Sequence, residues 1–407
     1  MKNIGSIRLL LTGKSQKDKI FLTILLLYFL VYMLPVPEVA GLFPCSLMVL
    51  YGFMTDSILK FRLRKYHWWS IHIFVFFAIT SVWALRPILS YWSLMQMFKL
   101  FVLTFGIYKY ATSFEKLYDI LRVFVAANIL LLLFVLYYFD LGSLGEDRMS
   151  DAENGLNGNG IAISFAFCLY GIFMIFNLIK LNYASKVYYY ILAMLFLVFI
   201  LLTGSRTGVV MLLLPIILNQ FLKSKYKLTA IISISIFLIF AYFLVMKIPV
   251  FYNIVGVRIM DGLNIVSGNS TGTEDSSRFL LFVYGLDWFQ DNPILGIGIN
   301  NYRVLSNVTP PFVGKNFYAH SNIIELLVDV GIVGFIIYYR YVFILLKGAF
   351  KAAKDNVVSR IIIALTVTLF VHDIFSMSFY EWEMQFLICI TFVLLSLNQK
   401  EVKPQMH

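Results

Sequence analysis

Twelve apolar stretches follow one another along this chain, separated by short polar intervals and by one long one, from about residue 247 to residue 319. A helix needs about 20 apolar residues to cross a bilayer, fewer where its flanking charges reach for the interface. On that scale the pattern predicts spans near 20–34, 39–59, 68–85, 92–110, 118–139, 159–181, 187–203, 205–222, 228–246, 321–346, 361–379 and 382–397. The expected fold is an all-α polytopic membrane protein of about 12 transmembrane helices. Residues 1–246 would carry nine spans, 247–319 an external loop with an amphipathic helix, and 320–407 the last three spans and a tail, all within one membrane domain.

Composition agrees: 60% of residues are hydrophobic, 17% aromatic and only 14% charged, with a mean hydropathy of +0.82, far from a water-soluble chain. The net charge of +11 would suit nucleic acid on a soluble face. Here the lysines and arginines sit in short loops between apolar runs, so the charge reads as topological. Cys45, Cys168 and Cys389 lie within or beside apolar runs, far apart in sequence, and point to neither a disulfide nor a metal site. Five basic residues precede the first apolar run with no small-residue cleavage site after it, which predicts an uncleaved signal-anchor helix.

The basic residues alternate. With the N-terminus inside, 22 of the 33 lysines and arginines fall on one side and 8 on the other, five of these in the long segment where the charge rule weakens. This places both termini in the cytoplasm and the long segment outside. Every even-numbered span then starts at the external face, where unpaired amide donors and a partial positive charge favour anions.

Three of these external regions are unusually polar. The eighth span opens with Thr203-Gly204-Ser205-Arg206-Thr207-Gly208, a cation and hydroxyls at a helix tip; the arginine fork suits phosphate oxygens, although an arginine here could simply reach for the interface. In the long segment, Ser276-Ser277-Arg278 precedes an amphipathic run that ends at Asn292-Pro293, predicting a surface helix over about 278–290 with Arg278 at its start. The plainer reading makes Arg278 a surface cation neutralised by Glu274 or Asp275. The tenth span opens with His320-Ser321-Asn322, followed on one helix face by Glu325 and Asp329. Two carboxylates so near a bilayer are costly unless that face lines a cavity; Asn322 with Glu325 also reads as a capping pair. A histidine near neutrality at pH 7 can take a proton from a sugar hydroxyl, though a lone histidine is more often structural.

Weaker signals remain. Arg148 and Asn157-Gly158-Asn159-Gly160 precede the sixth span and could form a fourth anion-facing tip, although such runs are ordinary turns. Asp147, Asp151 and Glu153 could hold a divalent ion but read better as a solvated loop. Gly296-Ile297-Gly298 lacks the context of a nucleotide site. His372-Asp373 is either a cavity-lining pair or a satisfied polar pair within the bundle, and no role attaches to His67 and His72.

The blocks "TGSRTG", "SSRFLLFVYGLDWFQDNPILGIGINNYRV" and "YAHSNIIELLVDVGIVGFIIYY" in this order resemble the O-antigen ligase and O-antigen polymerase (Wzy) superfamily of polytopic glycosyltransferases; the first half resembles it only in hydropathy. The resemblance implies a GT-C-like enzyme of the cytoplasmic membrane, with its active site facing outside. Donor and acceptor would be oligosaccharides on undecaprenyl diphosphate, with no cofactor and no metal. Arg206, Arg278 and His320 would fill the family's two arginine positions and its histidine position. Arg148, Asn159, Ser205, Arg303, Asn322, Glu325 and Asp329 are the further residues expected at the substrate, Glu325 or Asp329 either orienting His320 or contacting sugar hydroxyls. Ser321-Asn322, where ligases often carry two asparagines, favours a repeat-unit polymerase of O-antigen, capsule or exopolysaccharide over a ligase. A lipid-linked oligosaccharide flippase is the reading from a different class, but transporters hold their polar groups near the bilayer midplane. Membrane lipids, a chain-length regulator and a flippase are the expected partners.

Overall fold

The computed structural model describes residues 13–55, 63–138, 158–203, 205–226, scattered positions from 228 to 247, 274–351 and 356–402. All secondary structure among them is helical. In chain order the α-helices are α1 (Gln16–Met33), α2 (Leu42–Met54), α3 (Lys65–Thr80), α4 (Pro87–Tyr110), α5 (Phe114–Tyr138), α6 (Gly158–Leu178), α7 (Tyr183–Leu202), α8 (Arg206–Lys223), α9 (Glu274–Asp291), α10 (Tyr302–Val308), α11 (Asn322–Lys351), α12 (Val357–Phe375) and α13 (Trp382–Val402), with a 3-10 turn at Glu38–Gly41 before α2.

Seven of them, α4 to α7 and α11 to α13, are long and apolar enough to cross a membrane. Two shorter apolar helices occupy Val39–Met54 and Thr207–Lys223. Each predicted span except 228–246 coincides with a helix; that ninth one falls largely outside the described residues. The bundle pairs α1 with α5, α6 with α7 and α8, α8 with α12, and α11 with α12 and α3. Its core is aromatic and aliphatic throughout, with Tyr28, Tyr66, Trp69, Phe77, Phe124 and Tyr338 fully buried. Cys45, Cys168 and Cys389 are buried and free.

The helix within the long interval differs from its prediction in where it starts. The helix α9 starts at Glu274, so Arg278 stands a full turn inside it rather than at its tip. It ends at Asp291, as the following Asn292-Pro293 predicts. A small separate core of Leu281, Ile297, Tyr302, Phe312, Ile324 and Val328 ties α9 and α10 to the start of α11.

The helix α11 is interrupted at Gly331, whose φ of 63° and ψ of −172° are not helical. Continuing the helix would pair the Ile332 and Val333 N–H groups with the Val328 and Asp329 carbonyls. Instead Ile332 donates to Pro293 (2.9 Å) and Val333 to Ile294 (3.3 Å), while the Val328 and Asp329 carbonyls accept from Ile297 (3.1 Å) and Gly298 (2.8 Å). The stretch 293–298 thus replaces, bond for bond, what the break removes, as a buried backbone requires. Glycine permits this approach: a Cβ on Gly331 would fall 2.3 Å from the Ile294 carbonyl carbon, and one on Gly296 2.4 Å from that of Asp329. The Gly-x-Gly pair is therefore a backbone junction and not a nucleotide motif.

Candidate functional site

A cavity of about 460 Å³ opens where the starts of α4, α6 and α13 meet the end of α12. Trp92, Asn159, Arg303, Tyr318, His372, Tyr380, Glu381 and Glu383 line it, with Ile163, Ser376, Met377 and Met384 among the remaining wall.

Arg303 is placed by a chain of contacts that begins at Asp329. One Asp329 oxygen accepts from the Asn301 and Tyr302 N–H groups (3.0 and 2.7 Å), the other from Asn300 (2.5 Å). Those amides stand at the start of α10, where a helix offers them no partner four residues back, and a buried carboxylate engages all three, Asn301 N–H also reaching the Gly298 carbonyl at 3.2 Å. Asp329 is therefore bound to the backbone before Arg303, neither beside His320 nor at a sugar, the two roles expected of it. Arg303, the second residue of α10, donates to Asn300 Oδ1 (3.0 Å) and to the Tyr380 hydroxyl (2.5 Å), and its guanidinium lies 5.4 Å from the Tyr318 ring centre.

The turn bearing His320 is held similarly. Glu325 Oε2 accepts from the Ala319 N–H at 2.6 Å, which fixes the Tyr318–Ala319 peptide just before His320. His320 has a φ of +53°, a left-handed conformation uncommon for a side-chain-bearing residue and one that the surrounding contacts must impose. Its ring packs on that of Tyr318, centroids 4.0 Å apart. Glu325 is fully buried, and its other oxygen, Oε1, has no hydrogen-bond partner among the described residues.

Asn322 is committed elsewhere. Its side-chain oxygen accepts from the Ser378 and Phe379 N–H groups (both 3.0 Å), and its nitrogen donates to the Tyr339 hydroxyl (3.0 Å) and Asp373 (3.3 Å). With its capacity used, Asn322 staples α11 to the α12–α13 connection, and it is Ser321 whose hydroxyl accepts from Ile324 N–H at the helix start. Asp373 is bound by Tyr339 and Ser378 as well, whereas neither ring nitrogen of its neighbour His372 has a hydrogen-bond partner among the described residues. Of the two readings of His372-Asp373, the histidine follows the first and the aspartate the second.

On the other wall, Ser205 caps α8 by accepting from Gly208 N–H (3.1 Å) and donates its own proton to the Asn159 side-chain oxygen. Gly208 permits the contact between helices, since a Cβ there would lie 2.6 Å from that of Ala162 on α6. The start of α6 lines the cavity, and the start of α8 is tied to it through Asn159. Arg206 opens α8, but its side chain lies outside the described residues, as do Arg148, Asp147, Asp151 and Glu153. Arg278 is half-buried and near enough to Tyr318 to act on its ionisation: burial raises the Tyr318 phenol above its ordinary value, Arg278 and Arg303 oppose the rise, and Glu381 and Glu325 add to it.

Glu381 and Glu383 went unnoticed in the sequence, as did Tyr318 and Tyr380. Burial pushes the Glu381 carboxyl up to about 7, against the pull of Arg303. The only available signal was two acids in "YEWE" at the start of an apolar run. The cavity therefore offers a guanidinium, two carboxyls, two phenols, an imidazole and an amide, a set suited to a polyhydroxylated, partly anionic ligand. No cluster of three or more histidine, cysteine or acidic residues arranged for a metal occurs among the described residues.

Residues 191–339 match the Wzy_C family model, described as O-antigen ligase. The match bears out the O-antigen ligase and polymerase superfamily, whose members are glycosyltransferase-like enzymes of lipid-linked oligosaccharides. It runs from α7 to the middle of α11 and takes in Arg206, Arg278, Arg303, His320, Glu325 and Asp329, while Asn159 and Glu381 lie beyond it. No curated protein matches the chain.

Proposed function

We propose that this protein is a membrane glycosyltransferase that polymerises oligosaccharide repeat units carried on undecaprenyl diphosphate, at the outer leaflet of the cytoplasmic membrane. The observation that carries the reading is the cavity shared by Arg303, Tyr318 and the start of α6, with Ser205 at the start of α8 bonded to Asn159 and His320 packed on Tyr318; Ser205, Arg303, Tyr318 and His320 lie in the region matched by the family. Glycosyl transfer from a diphosphate needs positive charge where the leaving group forms and a base where the acceptor hydroxyl attacks.

In the proposed reaction the acceptor hydroxyl oxygen attacks the donor's anomeric carbon from the face opposite the diphosphate. The new C–O bond forms as the old one breaks, polyprenyl diphosphate departs with the bonding electron pair, and the hydroxyl proton passes to His320. The configuration inverts. Arg206 and Arg278 hold the diphosphate and stabilise its charge more in the transition state than before it. Arg303 and Asn159 contact the glycan. Glu325 positions His320 through the Ala319 N–H, the bond that supports its assignment to orientation. Enclosing both lipids in one site converts an encounter in the membrane plane into a proximity effect.

The test is Arg206→Ala, Arg278→Ala and His320→Ala, each scored for glycan ladder formation and for protein retained in the membrane. Loss of activity with normal protein level is expected, and full activity in all three refutes the mechanism. In cells lacking the protein, single repeat units in place of a ladder support the polymerase. Long chains stranded on polyprenyl diphosphate identify a ligase, and units trapped on the cytoplasmic leaflet a flippase.

A further inference from the structure

Acidic and basic groups share the candidate cavity without meeting. Glu381 and Glu383 stand on either side of Trp382, the first residue of α13, and both line the cavity together with Arg303. Arg303 donates to Asn300 Oδ1 and to the Tyr380 hydroxyl, and among the described residues no ion pair joins it to either glutamate. His372 lines the same space and is only 3% exposed. Neither of its ring nitrogens has a hydrogen-bond partner among the described residues, and Nδ1 lies 3.8 Å from Asp373 Oδ1, beyond hydrogen-bond reach. A buried imidazole in that condition awaits a partner.

These groups select a ligand by what each can exchange. A guanidinium only donates, an ionised carboxylate only accepts, and a neutral imidazole does one at each nitrogen. A diphosphate would be drawn to Arg303 but repelled by ionised glutamates, and a cation would meet the reverse. A hydroxyl donates and accepts within one group, so a neutral, polyhydroxylated ring satisfies acids, imidazole and guanidinium together. Trp92, 39% exposed, adds an aromatic surface to the cavity, of the kind on which the C–H side of a sugar ring packs. The volume of about 460 Å³ is in the range of small-molecule sites.

We propose that this cavity holds a neutral sugar ring of the glycan substrate and not its diphosphate, with Glu381 and Glu383 accepting from ring hydroxyls, His372 bonding a further hydroxyl and Arg303 donating to a sugar oxygen. Glu381, Glu383 and His372 are then specificity-determining residues, and all three lie beyond residues 191–339, the part matched by the family. The residues that read the sugar are thus largely separate from those that handle the diphosphate. The inference takes its substrate from the proposed function and rests on that reading.

The test uses the repeat unit that cells lacking the protein accumulate, released from its lipid diphosphate by mild acid and titrated calorimetrically into the purified full chain in detergent. The free oligosaccharide should bind, and an equal amount of inorganic diphosphate should not displace it. Glu381→Ala with Glu383→Ala should weaken binding roughly tenfold or more, whereas Glu381→Gln with Glu383→Gln, which keeps an acceptor oxygen at each position, should hold it within about threefold. His372→Phe keeps a ring in place and breaks no side-chain hydrogen bond among the described residues; it should leave the unfolding midpoint unchanged and weaken binding roughly fivefold or more. Displacement by diphosphate, absence of binding to the wild-type protein, or wild-type affinity in the alanine and phenylalanine variants overturns this inference and leaves the proposed reaction standing. Cells that accumulate no lipid-linked unit overturn both.

Discussion

Asp329→Asn separates a residue that builds the site from one that touches substrate. The substitution keeps the shape of the side chain but replaces one acceptor oxygen with an NH2 donor. The new amide would best turn its remaining oxygen toward Asn301 and Tyr302, whose N–H groups share one carboxylate oxygen at 3.0 and 2.7 Å. Its NH2 then faces the Asn300 N–H, which in the native protein lies 2.5 Å from the other oxygen, and two donors oppose each other in a buried place. An orphaned buried N–H costs about 1–3 kcal/mol, and each surviving bond loses about 1 kcal/mol on becoming neutral. Relief from burying a charge offsets part of this, leaving a net loss of about 2–4 kcal/mol. The start of α10 loosens, and Arg303 leaves Tyr380. Thermal unfolding of the purified protein in detergent, followed by intrinsic fluorescence, should show a midpoint lower by about 2–5 °C, with glycan polymerisation reduced at least tenfold. Lost activity at an unchanged midpoint would refute this reasoning and return Asp329 to the sugar-binding role.

Three further outcomes are expected. The carboxyl of Glu381, held at about 7, ionises between pH 6 and 8, so the KM for glycan substrate should change over that range as negative charge appears opposite Arg303; Glu381→Gln should flatten the change, and an identical profile in the variant counts against it. The same shift carries a stability sign: a carboxyl raised from 4.5 to about 7 in the fold favours the folded protein at low pH, and that contribution disappears as pH climbs through about 7. Gly331→Ala puts a Cβ 2.3 Å from the Ile294 backbone at a positive φ, and should abolish both activity and the unfolding transition; wild-type behaviour in that variant would show that the break in α11 is dispensable. Asn322→Ala removes four hydrogen bonds and should lower the unfolding midpoint while leaving KM for the glycan substrates near its wild-type value, measured in whatever protein survives; a raised KM with no loss of stability would place Asn322 on the substrate.

Hydropathy alone marked where the long apolar helices lie, because burial of about 20 apolar residues is a local property that neighbours in sequence share, whereas the short α10 carried no such signal. The arginine and histidine candidates were legible for a related reason: a charge beside Gly and Ser at the start of an apolar run is conspicuous. What tertiary structure decided was partnership. The sequence could not tell that Asp329 and Asn322 would spend their hydrogen-bonding capacity on backbone amides of distant loops, since Asn300 and Phe379 are 29 and 57 residues away. Nor could it tell that Gly331 breaks its helix, because the compensating donors and acceptors come from 293–298. Arg278 moved off the helix tip because α9 begins a turn early. Glu381 gained its place when α13 brought it opposite Arg303 in a shared cavity. Apolar periodicity is written into consecutive residues, whereas the role of a buried polar group depends on what folding places within hydrogen-bond distance of it.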